Sequence, residues 1–152
     1  MREGLIPNGR LTMLINAGLD TGDMLMKAET PIHAGETAVD LSVRLAGMGA
    51  DLLIETLKRI ESGSISREPQ NDAEATYAPI LKKEDGLIDW NLDATAIYNR
   101  CRGFLPWPGA YTTFRGQVLH IWKAKPANDI DSGLPGSVHA AGRGLVVACG
   151  HG

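Results

Sequence analysis

Nothing in the 152 residues approaches the roughly eighteen consecutive apolar side chains that a bilayer-spanning helix requires. The opening MREGLIPNGR carries an acid and two arginines where a secretory leader needs an apolar stretch, so neither membrane insertion nor export is expected. Cysteine is scarce. Cys101 and Cys149 are too few for a disulfide framework or a four-thiolate zinc site and form no C-x-x-C pair. A reducing cytoplasm and no metal are the resulting expectations. An excess of positive charge is missing too: 15 Lys and Arg against 18 Asp and Glu give a net charge of −3, which argues against a general nucleic-acid binder. With 43% hydrophobic and 22% charged residues, neither the disordered nor the collagen-like class fits. The length suffices for one modest domain or two small ones, able to bury about two thirds of the unfolded surface.

The charge is unevenly spread. Residues 1–62 hold nine acids and six bases, and residues 63–93 hold seven acids and three bases. Residues 94–128 hold Arg100, Arg102, Arg115, Lys123 and Lys125 and no acid, and they also carry Phe104, Trp107, Tyr111, Phe114 and Trp122. Cations without counter-acids leave a positive field, which is either a solvated basic rim or a surface that meets a polyanion.

Periodicity divides the chain in two. LTMLI at 11–15 and MLMKAETPI at 24–32 predict two strands joined by the turn-rich NAGLDTGD. Thr37 and Asp40 have capping-box spacing, and Leu41, Leu45, Met48, Leu52, Leu57 and Ile60 then recur as the apolar stripe of a helix, bent near Gly47 and Gly49. Two strands and one helix look like the end of a larger sheet. The polar stretch from Glu61 to Asp85 shows no period and predicts a linker at 68–83. Asp93 is placed to cap a helix over 94–103, which FLPWPGA ends, and Trp107 is placed to pack beneath the strands of this second half. Those strands are four short runs, AYTTF, QVLHIWKA, GSVHAA and GLVVACG, in two pairs split by the turns RG and GR; they predict a small β-barrel or curled sheet.

Several segments together are similar to methionyl-tRNA formyltransferases: GLDTGDML at 18–25, KKEDGLIDW at 82–90, NRCRGFLPWPGAYTTF at 99–114 and LHIWKA at 119–124, in the family's order. The resemblance runs from about Leu11 to Gly150. It implies an α/β remnant of a Rossmann-like formyltransferase domain over 1–67, the linker, and an incomplete OB-like β-barrel domain over 84–152. The implied reaction moves a formyl group from 10-formyltetrahydrofolate to the amino group of methionyl initiator tRNA. An amine attacks the formyl carbon, an oxyanion develops and a proton leaves the nitrogen, so donors aimed at the oxyanion and a base or relay are needed.

By the same resemblance Asp20 takes the place of the family's catalytic carboxylate, and Leu19, Thr21 and Gly22 become walls of the folate pocket. Taken without it, G-x-D-x-G is a weak signal and a solvated turn aspartate the plainer reading. The family pattern has an acid two residues before Gly18; this chain has Asn16, a departure that bears on the turn's hydrogen bonding. A larger departure is that the family's Asn-x-His and Ser-Leu-Leu-Pro stretches do not occur, and His33, His120, His139 and His151 map to no catalytic imidazole. The resemblance therefore implies a truncated chain, inactive by itself; separately, a monomer is the expectation. Arg100, Arg102, Arg115, Lys123 and Lys125 are the candidates for tRNA phosphates. Two other readings are a stand-alone RNA-binding module and a formyltransferase acting on a nucleotide-linked amino sugar, and an acid-free basic segment gives the sugar reading no support.

Overall fold

The computed structural model describes residues 8–127, 133–142 and 144–151. The chain divides into two compact units, residues 8–79 and 80–151 of those described.

In the first unit β1 (Asn8–Met13) and β2 (Met24–Thr30) form an antiparallel hairpin, in register from Asn8 opposite Thr30 to Thr12 opposite Met26, with a bulge between Thr12 and Met13. Met13 pairs with Met24 beyond the bulge and the ladder stops there, two residues before the apolar run LTMLI does, so that Ile15 is left 96% exposed. The helix α1 (Ala38–Glu61) begins on the expected capping box. Thr37 Oγ1 accepts from the Asp40 amide at 3.3 Å, and Asp40 Oδ2 accepts from the Thr37 amide at 3.0 Å. The Thr37 hydroxyl also donates to Asp40 Oδ2 at 2.7 Å, and this bond, with that from the Thr37 amide, holds the Asp40 carboxyl below its ordinary pKa. The helix is continuous through Gly47 and Gly49.

Its buried stripe is Leu45, Leu52 and Thr56, whereas Leu57 and Ile60, expected inside, are exposed. The reason is a polar contact. Thr56, 2% exposed, donates its hydroxyl to the Leu52 carbonyl at 2.7 Å and meets the Thr12 hydroxyl of β1 at 2.9 Å, which sets the helix rotation. Arg10 of β1 donates to the Leu45 carbonyl at 3.1 Å. Beyond β2, Arg44 grips Glu36 with Nε and Nη2, both at 2.9 Å, and also bonds the Thr30 hydroxyl and the Pro31 carbonyl, so the loop into the helix is clamped.

In the second unit α2 (Ala94–Gly103) starts on Asp93, whose Oδ1 accepts from the Thr95 amide at 2.7 Å. Two hairpins come after it: β3 (Ala110–Phe114) with β4 (Gln117–Ile121), and β5 (Val138–Ala141) with β6 (Gly144–Val147). Arg115 and Gly116, at φ 51° and 77°, make the two-residue turn between β3 and β4. Residue 143 of the second turn lies outside the described residues. Ile88, Ile97, Cys101 and Ala110 form the core, flanked by Trp90, whose indole N–H donates to Thr112 Oγ1 at 3.1 Å. Trp107 is 57% exposed rather than packed beneath the strands.

The barrel expectation needs correction in one respect. Among the described residues each hairpin is a separate two-stranded sheet, and no closed barrel is formed. Between β4 and β5 stand Pro126 and Pro135, which have no amide donor to extend a ladder. The apolar sides of α2 and the two hairpins line a cavity of about 380 Å³, with Ile97, Leu119, Ile121, Val138 and Leu145 among its walls.

Candidate functional site

The loop from Leu14 to Asp23 turns on a few polar contacts. The Leu14 amide donates to the Asp23 carbonyl at 3.0 Å, closing the loop at its neck. Asn16 Oδ1 accepts from the Gly18 amide at 3.1 Å and from the Thr21 hydroxyl at 2.9 Å. Thr21, expected as a pocket wall, thus spends its hydroxyl within the loop. Gly22 is buried, and a Cβ there would run into the Leu14 carbonyl oxygen, so the close crossing of the two loop arms requires glycine.

Asp20 lies at the tip with φ 56°, a left-handed conformation that aspartate tolerates better than most residues. It is exposed, and its carboxylate enters no hydrogen bond or ion pair among the described residues. Its backbone is fixed instead: Gln70 Nε2 donates to the Asp20 and Gly22 carbonyls, both at 2.8 Å. The neighbouring Leu19 is 90% exposed. The arrangement is a constrained bend that presents a carboxylate beside apolar surface. In this unit the described histidine is His33, whose amide donates to Glu36 at the other end of the hairpin, so no imidazole accompanies Asp20.

Sequence reading missed Gln70, since a polar residue in an aperiodic stretch carries no signal that it returns across 48 residues to a loop. Glu68, also in the expected linker, forms a β-bridge with Met24 and an ion pair with Lys27 at 3.0 Å.

The five bases expected to meet phosphates fall into two groups. Arg100 is half-buried; its guanidinium donates to the Asp85 carbonyl at 2.6 Å and lies 4.9 Å from the Phe104 ring centroid. Arg102, also half-buried, donates to Asn99 Oδ1 at 2.8 Å and sits 5.6 Å from the Tyr98 ring. Arg115, over the Phe114 ring at 5.3 Å, and Lys123 and Lys125 are exposed. The two helix arginines are therefore committed to internal contacts, and of these five bases the exposed ones lie on the β3–β4 hairpin and just after it. Neither thiol is paired; burial pushes the pKa of Cys101 and of Cys149 upward. No group of His, Cys, Asp and Glu among the described residues has the geometry of a metal site. No helix among them is long and apolar enough to cross a membrane.

A family model described as the formyl transferase C-terminal domain matches residues 80–152. Methionyl-tRNA formyltransferase of Solibacter usitatus is 56% identical over 150 residues, covering 99% of this chain and 48% of that protein. That of Koribacter versatilis is 53% identical over 144 residues, covering 94% of this chain and 45% of that protein. The chain is thus homologous to methionyl-tRNA formyltransferases and spans about half the length of the curated relatives it matches. Among solved structures, the N-formyltransferase of Helicobacter canadensis, described as a complex with folinic acid and dTDP-3-aminofucose, aligns with a TM-score of 0.71 at 19% identity, over 93% of this chain and 51% of that one. HypX from Aquifex aeolicus, described in complex with tetrahydrofolic acid, aligns with a TM-score of 0.66 at 21% identity, over 93% of this chain and 25% of that one. At such identities the likeness establishes the formyltransferase fold.

Proposed function

We propose, with the homology to methionyl-tRNA formyltransferases along 99% of this chain as the premise, that it is a portion of such an enzyme. Residues 1–67 contribute to a Rossmann-like catalytic domain, 68–83 link, and 84–152 form part of an OB-like barrel domain that holds tRNA. The reaction is formyl transfer from 10-formyltetrahydrofolate to the amino group of methionyl initiator tRNA, in the cytoplasm, by a monomer.

The observation that carries this reading is the Asp20 bend. A carboxylate is held at a fixed backbone position yet left without a partner of its own, as a group must be if it is to orient an imidazole or take up the proton of the attacking amine. Leu19 and the backbone at Thr21 and Gly22 supply the adjoining wall for the folate. A pterin ring needs apolar surface against its face, which the exposed Leu19 side chain offers. The oxyanion donor is absent from these 152 residues, in which no Asn-x-His occurs. Loss of one such donor costs ~3 kcal/mol of transition-state stabilisation, and here the imidazole is lacking as well.

Two measurements on the purified 152-residue chain test the reading. Filter binding of initiator tRNA at 50 and 200 mM salt is expected to show binding that weakens steeply with salt. Arg115→Ala, Lys123→Ala and Lys125→Ala combined should reduce the slope of log affinity against log salt by about two. Incubation with 10-formyltetrahydrofolate and methionyl-tRNA should give no formylated product. Formylation by this chain alone, or indifference of tRNA binding to salt, overturns the proposal.

A further inference from the structure

The outward side of the β3–β4 hairpin carries three aromatic rings in a row. Tyr111 and His120 face each other across the ladder, with ring centroids 6.0 Å apart and planes at 50°. Trp122 comes two residues after His120, and its ring stacks on the imidazole with centroids again 6.0 Å apart and planes at 29°. The opposite side of the same hairpin and of the segment after it, Thr112, Leu119, Ile121, Lys123 and Lys125, borders the cavity, while Tyr111, His120 and Trp122 are not among its walls. Trp122 is 71% exposed, His120 is exposed and Tyr111, at the inner end of the row, is half-buried.

A cross-strand Tyr–His pair has a structural use in holding two strands together. A third ring stacked on after β4 has ended, with most of its surface in water, adds little to that purpose. It does prolong one continuous π-surface, and it does so inside the stretch of 35 residues that holds five bases and no acid. Aromatic faces joined to unneutralised positive charge are the two components of a single-strand nucleic-acid site. The ring-to-ring step of 6.0 Å exceeds the ~3.4 Å rise of stacked duplex bases, and so suits bases splayed along an extended strand.

We propose that Tyr111, His120 and Trp122 form a stacking platform for unpaired nucleotides of an RNA partner, with Arg115 at the turn and the exposed Lys123 and Lys125 on the strand's other side supplying the positive field for its phosphates. This rests on the reading of residues 84–152 as an RNA-holding domain and adds to it the residues that grip bases. A protein partner would have to bring acids matched to these cations as well as a slot for the rings, whereas each unpaired nucleotide of RNA carries a phosphate and a base together.

The test measures fluorescence anisotropy of an unstructured RNA octamer of A and C, and of a blunt RNA duplex of the same length, with the purified chain. The octamer should bind more tightly than the duplex and quench tryptophan emission. Trp122→Leu should weaken octamer binding at least about fivefold with the salt slope retained, and Trp122→Phe should restore most of the affinity while abolishing the quench. The quench in the wild-type chain and its loss in Trp122→Phe, where the ring is kept, carry the test even if Trp122→Leu unfolds. Equal affinity for duplex and octamer overturns the platform. So does octamer binding that falls on Arg115→Ala, Lys123→Ala and Lys125→Ala but ignores Tyr111→Leu, His120→Leu and Trp122→Leu, and that result leaves the RNA-holding domain standing. A chain that binds neither octamer nor initiator tRNA at low salt overturns both.

Discussion

Gln70→Ala is the change that best separates the shape of the Asp20 bend from its chemistry. Gln70 Nε2 is 2.8 Å from both the Asp20 and Gly22 carbonyls, and two carbonyl acceptors at one position require the amide NH2 there rather than its oxygen. The bond to the Asp20 carbonyl is exposed, so water replaces it at little net cost. The bond to Gly22 is half-buried, at a residue that is itself buried, and its loss is expected to cost about 1 kcal/mol. Because the loop is closed at its neck by Leu14 N–H on the Asp23 carbonyl and Met24 N–H on the Glu68 carbonyl, that loss should appear as local opening. An increase of about fivefold in the amide exchange rates of Leu14 and Met24 corresponds to 1 kcal/mol, with the amides of α1 unaffected. Gln70→Glu should be worse, since it sets a carboxylate against two carbonyl oxygens. Native-state hydrogen exchange by NMR reads all three proteins. Unchanged exchange at Leu14 in Gln70→Ala, or equal acceleration throughout α1, would refute the claim that this side chain locally fixes the bend.

Two further predictions concern the frame that holds the bend. Thr56→Val removes the hydroxyl that meets Thr12 Oγ1 in the buried contact between α1 and β1, and should cost about 1–3 kcal/mol in urea unfolding; with Thr12→Val added the total should fall short of the sum of the single changes, because no buried hydroxyl is then left unpaired. Strict additivity in that double-mutant cycle would contradict the contact. The Arg44 guanidinium, by its paired hydrogen bonds, draws the Glu36 carboxyl from an ordinary 4.5 to about 2, so its support of the fold is complete above about pH 4.5 and is lost as the pH falls through about 2. Between those values the unfolded chain binds the extra proton. An acid titration followed by circular dichroism should therefore show Glu36→Gln less pH-dependent than the parent across that window, and parallel curves would dismiss the clamp.

The features legible in the sequence were local. The capping box of Thr37 and Asp40, the cap at Asp93 and the Arg115–Gly116 turn each depend on residues within four positions of one another, and each is in place. Position along α1 was not legible in the same way, because an apolar stripe predicts Leu57 and Ile60 inward while a hydroxyl pair spanning 44 residues turns Thr56 inward instead. Arg100 shows the same limit. Its charge counted toward a basic surface, yet a carbonyl 15 residues earlier and the Phe104 ring claim its guanidinium.

The substitution at Asn16 shows how such contacts decide whether a departure matters. The family's acid at this position made the turn's hydrogen bonding the feature most exposed to change, but both bonds that close the turn, from the Gly18 amide and the Thr21 hydroxyl, end on a single oxygen, Oδ1. An asparagine carries that oxygen in the same place as an aspartate does. The bend thus requires an acceptor at residue 16, not a charge.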